Sequence, residues 1–276
     1  MKTALALDID NTLTPPRQPL NKTMTEALIR LCVPFFVAAG SHLSLLQDQF
    51  FRPLYDFGFR KQFDAFLSNG AVRYHCDYSQ EMSVELVSEF NLRDHLGDSD
   101  YRYLLKKLTE TLEAGRFKLP STLTVLDGRV VDRVSMINLC PIGRKDCEDA
   151  DARRNREQFV EFDVADDYRK NMLRHLTQEL SDLIGRKQLH ITLGGQTSFD
   201  IGIMGQDKTK PVRTLLEDGF EKVIFIGDAL FEGGNDGAII DYIRLWPSEL
   251  KCPVEAIQVN SWRDTLEVLH NFEFCH

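Results

Sequence analysis

Two aspartates on alternate positions, Asp8 and Asp10, follow directly on the apolar run Thr3-Ala4-Leu5-Ala6-Leu7. The run is short and unbroken, and it reads as a buried strand. Carboxylates at the end of such a strand cost free energy unless they hold a metal or take part in chemistry. They also stand where open α/β sheets bind ligands, beyond the carboxyl ends of the strands. One carboxylate can attack phosphorus as a nucleophile, with Mg²⁺ screening the repulsion between two anions. The second, two residues on, is placed to serve as acid and base on the leaving or attacking oxygen. The competing reading is a solvated Asp-x-Asp-Asn turn that caps a helix.

The elements that must position these groups alternate along the first third of the chain. Thr3–Leu7 reads as a strand, Lys22–Cys32 as a helix, Val33–Ala39 as a strand and His42–Phe51 as helical. Phe63–Leu67 and Ala71–Tyr74 read as strands around a tight Ser68-Asn69-Gly70 turn. Such alternation predicts a parallel sheet with helices on its faces. The middle changes character. Ser83–Phe90 and Tyr101–Glu113 read as helices, and Thr122–Leu126 with Arg129–Leu139 as a hairpin turned by Asp127-Gly128. Asp166–Ile184 reads as one long amphipathic helix, followed by strands at Leu189–Leu193 and Ser198–Ile203. Alternation then returns, with a helix at Pro211–Leu216, strands at Val223–Ile226 and Val254–Gln258, and a closing helix at Trp262–Asn271. The expected fold is α/β, a Rossmannoid core with a parallel sheet plus an inserted α+β cap domain. Residues 1–80 and 196–276 are expected to form the core and 81–195 the cap.

Composition narrows the class. At 276 residues and 43% hydrophobic content, the chain has the make-up of a globular protein of one large domain or two modest ones. A formal net charge of −9 argues against nucleic acid as a partner, though not against a local basic pocket. No apolar run is long enough to span a bilayer, and Asp8 and Asp10 interrupt the amino-terminal apolar stretch too early for a signal peptide. The six cysteines, Cys32, Cys76, Cys140, Cys147, Cys252 and Cys275, form no Cys-x-x-Cys pair. They are expected to be reduced and the compartment cytoplasmic.

Four motifs in order then identify a resemblance. Asp8-x-Asp10-x-Thr12 resembles the first motif of the haloacid dehalogenase (HAD) superfamily of phosphotransferases. Gly40-Ser41, after an apolar strand, resembles its phosphate-binding serine motif. Lys208 resembles its lysine. Gly227-Asp228, with Gly233-Gly234-Asn235-Asp236 following, resembles its acidic metal motif. Within the superfamily the chain resembles the eukaryotic-type phosphomannomutases over nearly its whole length. The segments that carry this are Asp8 to Gln18, Asn138-Leu139-Cys140-Pro141-Ile142-Gly143-Arg144 and Gly194-Gly195-Gln196-Thr197-Ser198-Phe199-Asp200.

The resemblance implies a role for each matching residue. Asp8 is the nucleophile, Asp10 the acid and base, and Ser41 and Lys208 bind the transferring phosphoryl group. Mg²⁺ is held by Asp8, the Asp10 carbonyl and Asp228, with Asn235 and Asp236 orienting Asp228 or Lys208 from behind. Arg133, Arg144 and Arg156 of the cap grip a second phosphate, with Arg153 or Arg154 as alternatives to Arg156. Ser198 and Asp200 contact the sugar and phosphate from the cap, and Arg17 from the core. Physical reasoning agrees for two of these sets. A lysine at a helix start is poorly placed unless it neutralises a carboxylate such as Asp8. Arginine forks meet phosphate oxygens in pairs, although the same arginines could instead pair on the surface with Glu148, Asp149, Asp151 and Glu157. The chain departs from the family at Asn11 for glycine, His42 for aspartate, Ser68 for glutamate and Gln206 for tryptophan, and its stretch from Asp241 to Pro253 is longer than the family's. For His42 a helix-start role is the plainer expectation.

The expected activity is interconversion of mannose 6-phosphate and mannose 1-phosphate through an aspartyl phosphate, primed by a hexose 1,6-bisphosphate. The rival is a phosphosugar phosphatase of the same fold, with water as the second acceptor. A catalytically silent sugar-phosphate binder would be expected to have lost Asp8 or Asp10, and both are present. The resemblance also implies a homodimer through the cap.

Overall fold

The computed structural model describes residues 2–143, 150–231 and 236–272. In chain order it begins with β1 (Thr3–Leu7), α1 (Lys22–Arg30), β2 (Phe35–Ala38) and α2 (Leu43–Leu46). A π-helical turn at Gln47–Phe51 carries α2 into α3 (Arg52–Asp56), and β3 (Gln62–Leu67), β4 (Val72–Asp77) and β5 (Ser83–Glu89) follow. The middle holds α4 (Leu92–Leu96), α5 (Asp98–Glu113), β6 (Val130–Asp132), β7 (Ile137–Leu139), α6 (Ala150–Asp166), α7 (Tyr168–Glu179), α8 (Ser181–Lys187), β8 (Leu189–Gly194) and β9 (Ser198–Ile203). The chain closes with α9 (Thr209–Glu217), β10 (Lys222–Gly227), α10 (Gly237–Arg244), β11 (Val254–Gln258) and α11 (Trp262–His270).

These elements divide into two units, Met1–Glu89 with Gly205–His276, and Phe90–Met204. The first is built on a seven-stranded sheet in the order β11-β10-β1-β2-β3-β4-β5. From β11 to β3 the pairing is parallel, and β4 and β5 add antiparallel. Strand β1 is buried on both faces, as parallel strands under two helical layers must be. Leu5 and Leu7 join one apolar cluster with Phe35, Phe50, Phe51 and Phe63. Ala4 and Ala6 join another with Val212, Phe225 and Ile239. Strand order runs outward from β1 in both directions, through β2 to one side and β10 to the other. That reversal opens a crevice at the carboxyl ends of β1 and β10, the usual ligand position in such sheets.

The second unit holds a four-stranded antiparallel sheet in the order β6-β7-β9-β8. Ile137, Leu139, Phe199 and Ile201 pack with Leu104, Leu108, Met172 and Leu176 of the helices. Alternation along the strands sends Asn138, Asp200 and Thr192, which are in register across β7, β9 and β8, to the opposite face.

Several expectations require correction. Ser83–Glu89 is a strand, not a helix, because it pairs with β4 along its whole length, from Asp77↔Ser83 to Val72↔Glu89. Val84, Leu86 and Val87 fit either period, and the open edge of β4 decides between them. The first unit therefore runs to Glu89, past the expected 80/81 boundary. The second ends at Met204, past the expected 195/196, because β9 belongs to its sheet. The hairpin joins β6 to β7 through Arg133–Met136, with Asp132 Oδ1 accepting from the Val134 amide at 2.7 Å. Thr122–Leu126 forms no strand; the Leu126 amide instead donates to Ile142 O at 2.8 Å. The expected long helix is broken at Asp167, whose φ of 50° ends α6, and again at Leu180 between α7 and α8. Cys76 and Cys140 are buried free thiols, but Cys32 is disulfide-bonded, against the expectation of six reduced cysteines. Among the described residues no helix is long and apolar enough to cross a membrane.

Candidate active site

Asp8 leaves the end of β1 with its amide donating to Ile226 O of the neighbouring strand at 3.0 Å. The residue is 4% exposed, and its carboxylate accepts from Lys208 Nζ at 2.6 Å. Lys208 stands at the start of α9, 2% exposed, and its ammonium also donates to Asp236 Oδ1. Asp228, just past the end of β10, completes a set of three carboxylates whose oxygens lie within 4.8 Å of one another. One lysine cannot balance three acids in so buried a place. Burial is the main cause that pushes the Asp8 pKa up to about 7; Lys208 opposes the rise, and Asp236 and Asp228 add to it. Burial works against the Lys208 charge as well, but Asp8 and Asp236 outweigh it and hold that pKa above its ordinary value. The donor set, hard oxygens with excess negative charge, fits a divalent cation of the Mg²⁺ kind.

Asp10 has a separate set of partners. Its Oδ1 accepts from the Arg17 amide at 2.8 Å and from Gln49 Nε2 at 2.7 Å. Gln49 Nε2 also donates to Thr14 Oγ1 at 3.0 Å. The Asp10 carboxylate is thus turned to Arg17 and Gln49, whereas Asp236 stands with Asp8 and Asp228. Asn11 adopts a φ of 59°, in the left-handed region where asparagine costs least among side-chain-bearing residues. Its amide donates to Asp228 Oδ2 at 3.0 Å. Arg17 also has a positive φ, 53°, and is exposed. Ser41 follows β2 on the same carboxyl edge of the sheet, with its carbonyl accepting from the Ser68 amide at 3.1 Å. His42 caps α2, its Nδ1 accepting from the Leu45 amide at 3.4 Å, which is the helix-start role.

In the second unit Ser198 and Asp200 meet at Asn138. Asn138 Nδ2 donates to Asp200 Oδ1 at 2.6 Å and to Ser198 Oγ at 3.2 Å. Ser198 Oγ donates to Gly194 O at 2.7 Å. Arg169 links α7 to this corner by donating to Gly195 O at 2.9 Å while paired with Asp163 at 2.7 Å. Arg133 is exposed in the β6–β7 turn. Arg156 is half-buried on α6, one residue after the buried Asn155, whereas Arg153 and Arg154 are exposed. Arg144 and Asn235 lie outside the described residues.

Three contributors escaped the sequence reasoning. Asn138 opens the Asn138–Arg144 motif, to which the resemblance gives no role at that position. Asn11 departs from the family's glycine, and an asparagine in place of glycine beside an acidic motif signals a side chain that could reach it. Gln49 left no signal, because a π turn buries Gln49, Phe50 and Phe51 in succession, which helical periodicity does not anticipate.

The fold is that of the HAD-like hydrolases. A haloacid dehalogenase-like hydrolase from Bacteroides thetaiotaomicron superimposes with a TM-score of 0.52 at 16% identity, over 98% of this chain and 99% of that one. IMP-nucleotidase from Plasmodium falciparum gives a TM-score of 0.60 at 14% identity, over 98% and 61%. A model of the eukaryotic phosphomannomutase family matches residues 20–262, and the chain belongs to that family. It is 28% identical to phosphomannomutase 2 of Dictyostelium discoideum over 99% of this chain and 97% of that protein. It is 32% identical to a probable phosphomannomutase of Caenorhabditis elegans over 86% of each.

Proposed function

We propose that this enzyme interconverts mannose 6-phosphate and mannose 1-phosphate through an aspartyl phosphate on Asp8. The observation that carries the reading is the buried Asp8–Lys208 pair at the sheet switch point, with a second, separately held carboxylate two residues on. An Asp8 oxygen attacks phosphorus, and the bond from phosphorus to the sugar oxygen breaks. Asp10 gives its proton to the departing oxygen. In the return step Asp10 takes the proton from the accepting hydroxyl, which attacks the aspartyl phosphate and frees Asp8. Lys208 opposes the rise that burial imposes on the Asp8 pKa and offers its ammonium to the transferring oxygens. When bound, Mg²⁺ would be held by Asp8 and Asp228, with the Asp10 carbonyl or Asp236 completing the set, and would supply neutralisation of charge.

A hexose 1,6-bisphosphate serves as activator, since its two phosphates occupy the reacting and the gripping positions in turn. Arg133, Arg144 and Arg156 are the proposed ligands of the non-reacting phosphate, with Ser198, Asp200 and Arg17 for the sugar and its phosphates. The half-buried setting of Arg156 favours it over the exposed Arg153 and Arg154. The working form is a homodimer through the second unit, in the cytoplasm. Exclusion of water from the aspartyl phosphate separates a mutase from a phosphatase.

The test is phosphorus NMR of mannose 1-phosphate with Mg²⁺ and enzyme, with and without a trace of glucose 1,6-bisphosphate. Conversion to the 6-phosphate, accelerated by the bisphosphate and with little inorganic phosphate, is the expected outcome. Dominant inorganic phosphate, indifferent to the bisphosphate, would assign the same residues to a phosphosugar phosphatase.

A further inference from the structure

We infer that Gln49 is a positioning residue for the acid–base step, acting through Asp10; this rests on the reading of Asp10 given above. Three observations converge. Gln49 is buried, at 6% exposure, although a primary amide is costly to bury without partners. Its Nε2 spends both hydrogens on the motif loop, one on Asp10 Oδ1 at 2.7 Å and one on Thr14 Oγ1 at 3.0 Å. Thr14 is itself fully buried, so the amide is anchored on the rigid side of the loop. The residue is delivered by the π-helical turn Gln47–Phe51, and its own carbonyl accepts from the Leu20 amide at 2.7 Å. Its neighbours Phe50 and Phe51 are fully buried and fix the turn. Turns of this kind recur where a side chain must be aimed.

The consequence for Asp10 is an asymmetry between its two oxygens. Oδ1 is held by Gln49 and by the Arg17 amide. Oδ2 takes no hydrogen bond among the described residues. Donors on Oδ1 fix the plane of the carboxyl group and leave Oδ2 as the atom that gives and takes the proton. Gln49 supplies the side-chain half of that restraint, and the Arg17 amide the backbone half. Without Gln49 the carboxyl group can rotate about its own axis, and the acid–base oxygen is no longer fixed. Loss of a few tenths of an ångström in such a contact is enough to slow proton transfer.

Leaving-group dependence tests the idea. An aryl phosphate departs as a stable phenolate and needs no proton to phosphorylate Asp8. A sugar oxygen does need one. In rapid-quench experiments with Mg²⁺, Gln49→Leu is expected to release its burst of p-nitrophenolate within about twofold of the parent rate. The same variant should phosphorylate Asp8 from mannose 1-phosphate about 10- to 100-fold more slowly, within the range that positioned acid–base groups contribute. The burst amplitude counts intact sites, so a partly misfolded preparation is corrected within the measurement. Gln49→Asn, one methylene short of Asp10, should show a milder form of the same selectivity and serves if the leucine variant does not fold. Asp10→Asn should show the same selectivity more strongly, and the double variant should be no slower than Asp10→Asn alone. Equal slowing on both substrates, or full additivity with Asp10→Asn, would overturn the inference about Gln49. Absence of selectivity in Asp10→Asn itself would instead remove the acid–base reading of Asp10, and the inference with it.

Discussion

Replacing Asp8, the proposed nucleophile, should make the metal-free protein more stable. Asp8 is buried among Lys208, Asp236 and Asp228, and burial lifts its pKa from the ordinary 3.8 to about 7. A carboxyl group raised in this way binds protons in the fold that it does not bind in the unfolded chain. The sign follows from linkage: stability falls as pH rises from about 4 to about 7 and is level above that. At about 1.4 kcal/mol per tenfold change, ionising Asp8 costs the metal-free fold up to about 4 kcal/mol above pH 7. Asp8→Asn keeps the shape and an oxygen for Lys208 but carries no charge, and Lys208 retains Asp236. The assay is urea denaturation of parent and variant in EDTA, at pH 5 and at pH 8. The variant should be more stable at pH 8, by about 1–4 kcal/mol, and the gap should shrink markedly at pH 5. Adding Mg²⁺ at pH 8 should restore the parent much more than the variant, since the cation stabilises the buried ionised carboxylate. Turnover of Asp8→Asn should be lost throughout, with no labelled aspartyl phosphate. A variant no more stable than the parent at pH 8, or a gap that does not change with pH, would refute the argument that burying the ionised Asp8 carboxylate costs the metal-free fold stability.

Two further expectations concern the second unit. Asn138→Leu removes the donors that hold Asp200 at 2.6 Å and Ser198 at 3.2 Å. It should raise the KM for hexose phosphates about tenfold, in line with losing hydrogen bonds to a charged group, and leave an aryl-phosphate burst unchanged. Gly143→Ala should cost about 3 kcal/mol in thermal or urea unfolding of that unit. Gly143 has a φ of +75°, and an added Cβ would lie inside contact distance of Leu126 O and 2.5 Å from Asp127 O.

The legible parts of this chain were those with strong local signals. The parallel strands of the core were marked by short, largely apolar segments, and three of the four quoted motifs sat directly after them, at Asp8, Gly40-Ser41 and Gly227-Asp228. Lys208 was legible by its misfit, a cation at a helix start that only a nearby anion explains. The failures came where tertiary context outweighs local pattern. Ser83–Glu89 has no decisive period, and only the bare edge of β4 makes it a strand. Asp167 carries no sequence mark of the left-handed turn that splits the long helix, although Asp163 bonds Arg169 across the break at 2.7 Å. Arg133–Met136 contains no glycine, so the Asp127-Gly128 pair drew the hairpin to the wrong place. Gln49 was invisible because its role depends on a π turn and on partners 35 and 39 residues away.

The central position of β1 has a consequence for the newborn chain. Its two neighbours in the sheet are β2, made soon after it, and β10, more than two hundred residues later. Asp8 and Lys208 are 200 residues apart, so the Asp8 carboxylate waits through most of synthesis for its counter-charge. The unit Phe90–Met204 is contiguous and is fully emerged while the core still lacks β10 and β11. During that interval one edge of β1 is a bare, apolar strand, the kind of surface that pairs with other chains. Assembly of the sheet therefore depends on contacts of long sequence separation, which form slowly. The order of emergence makes the inserted unit the first candidate to fold and the Asp8–Lys208 cluster the last.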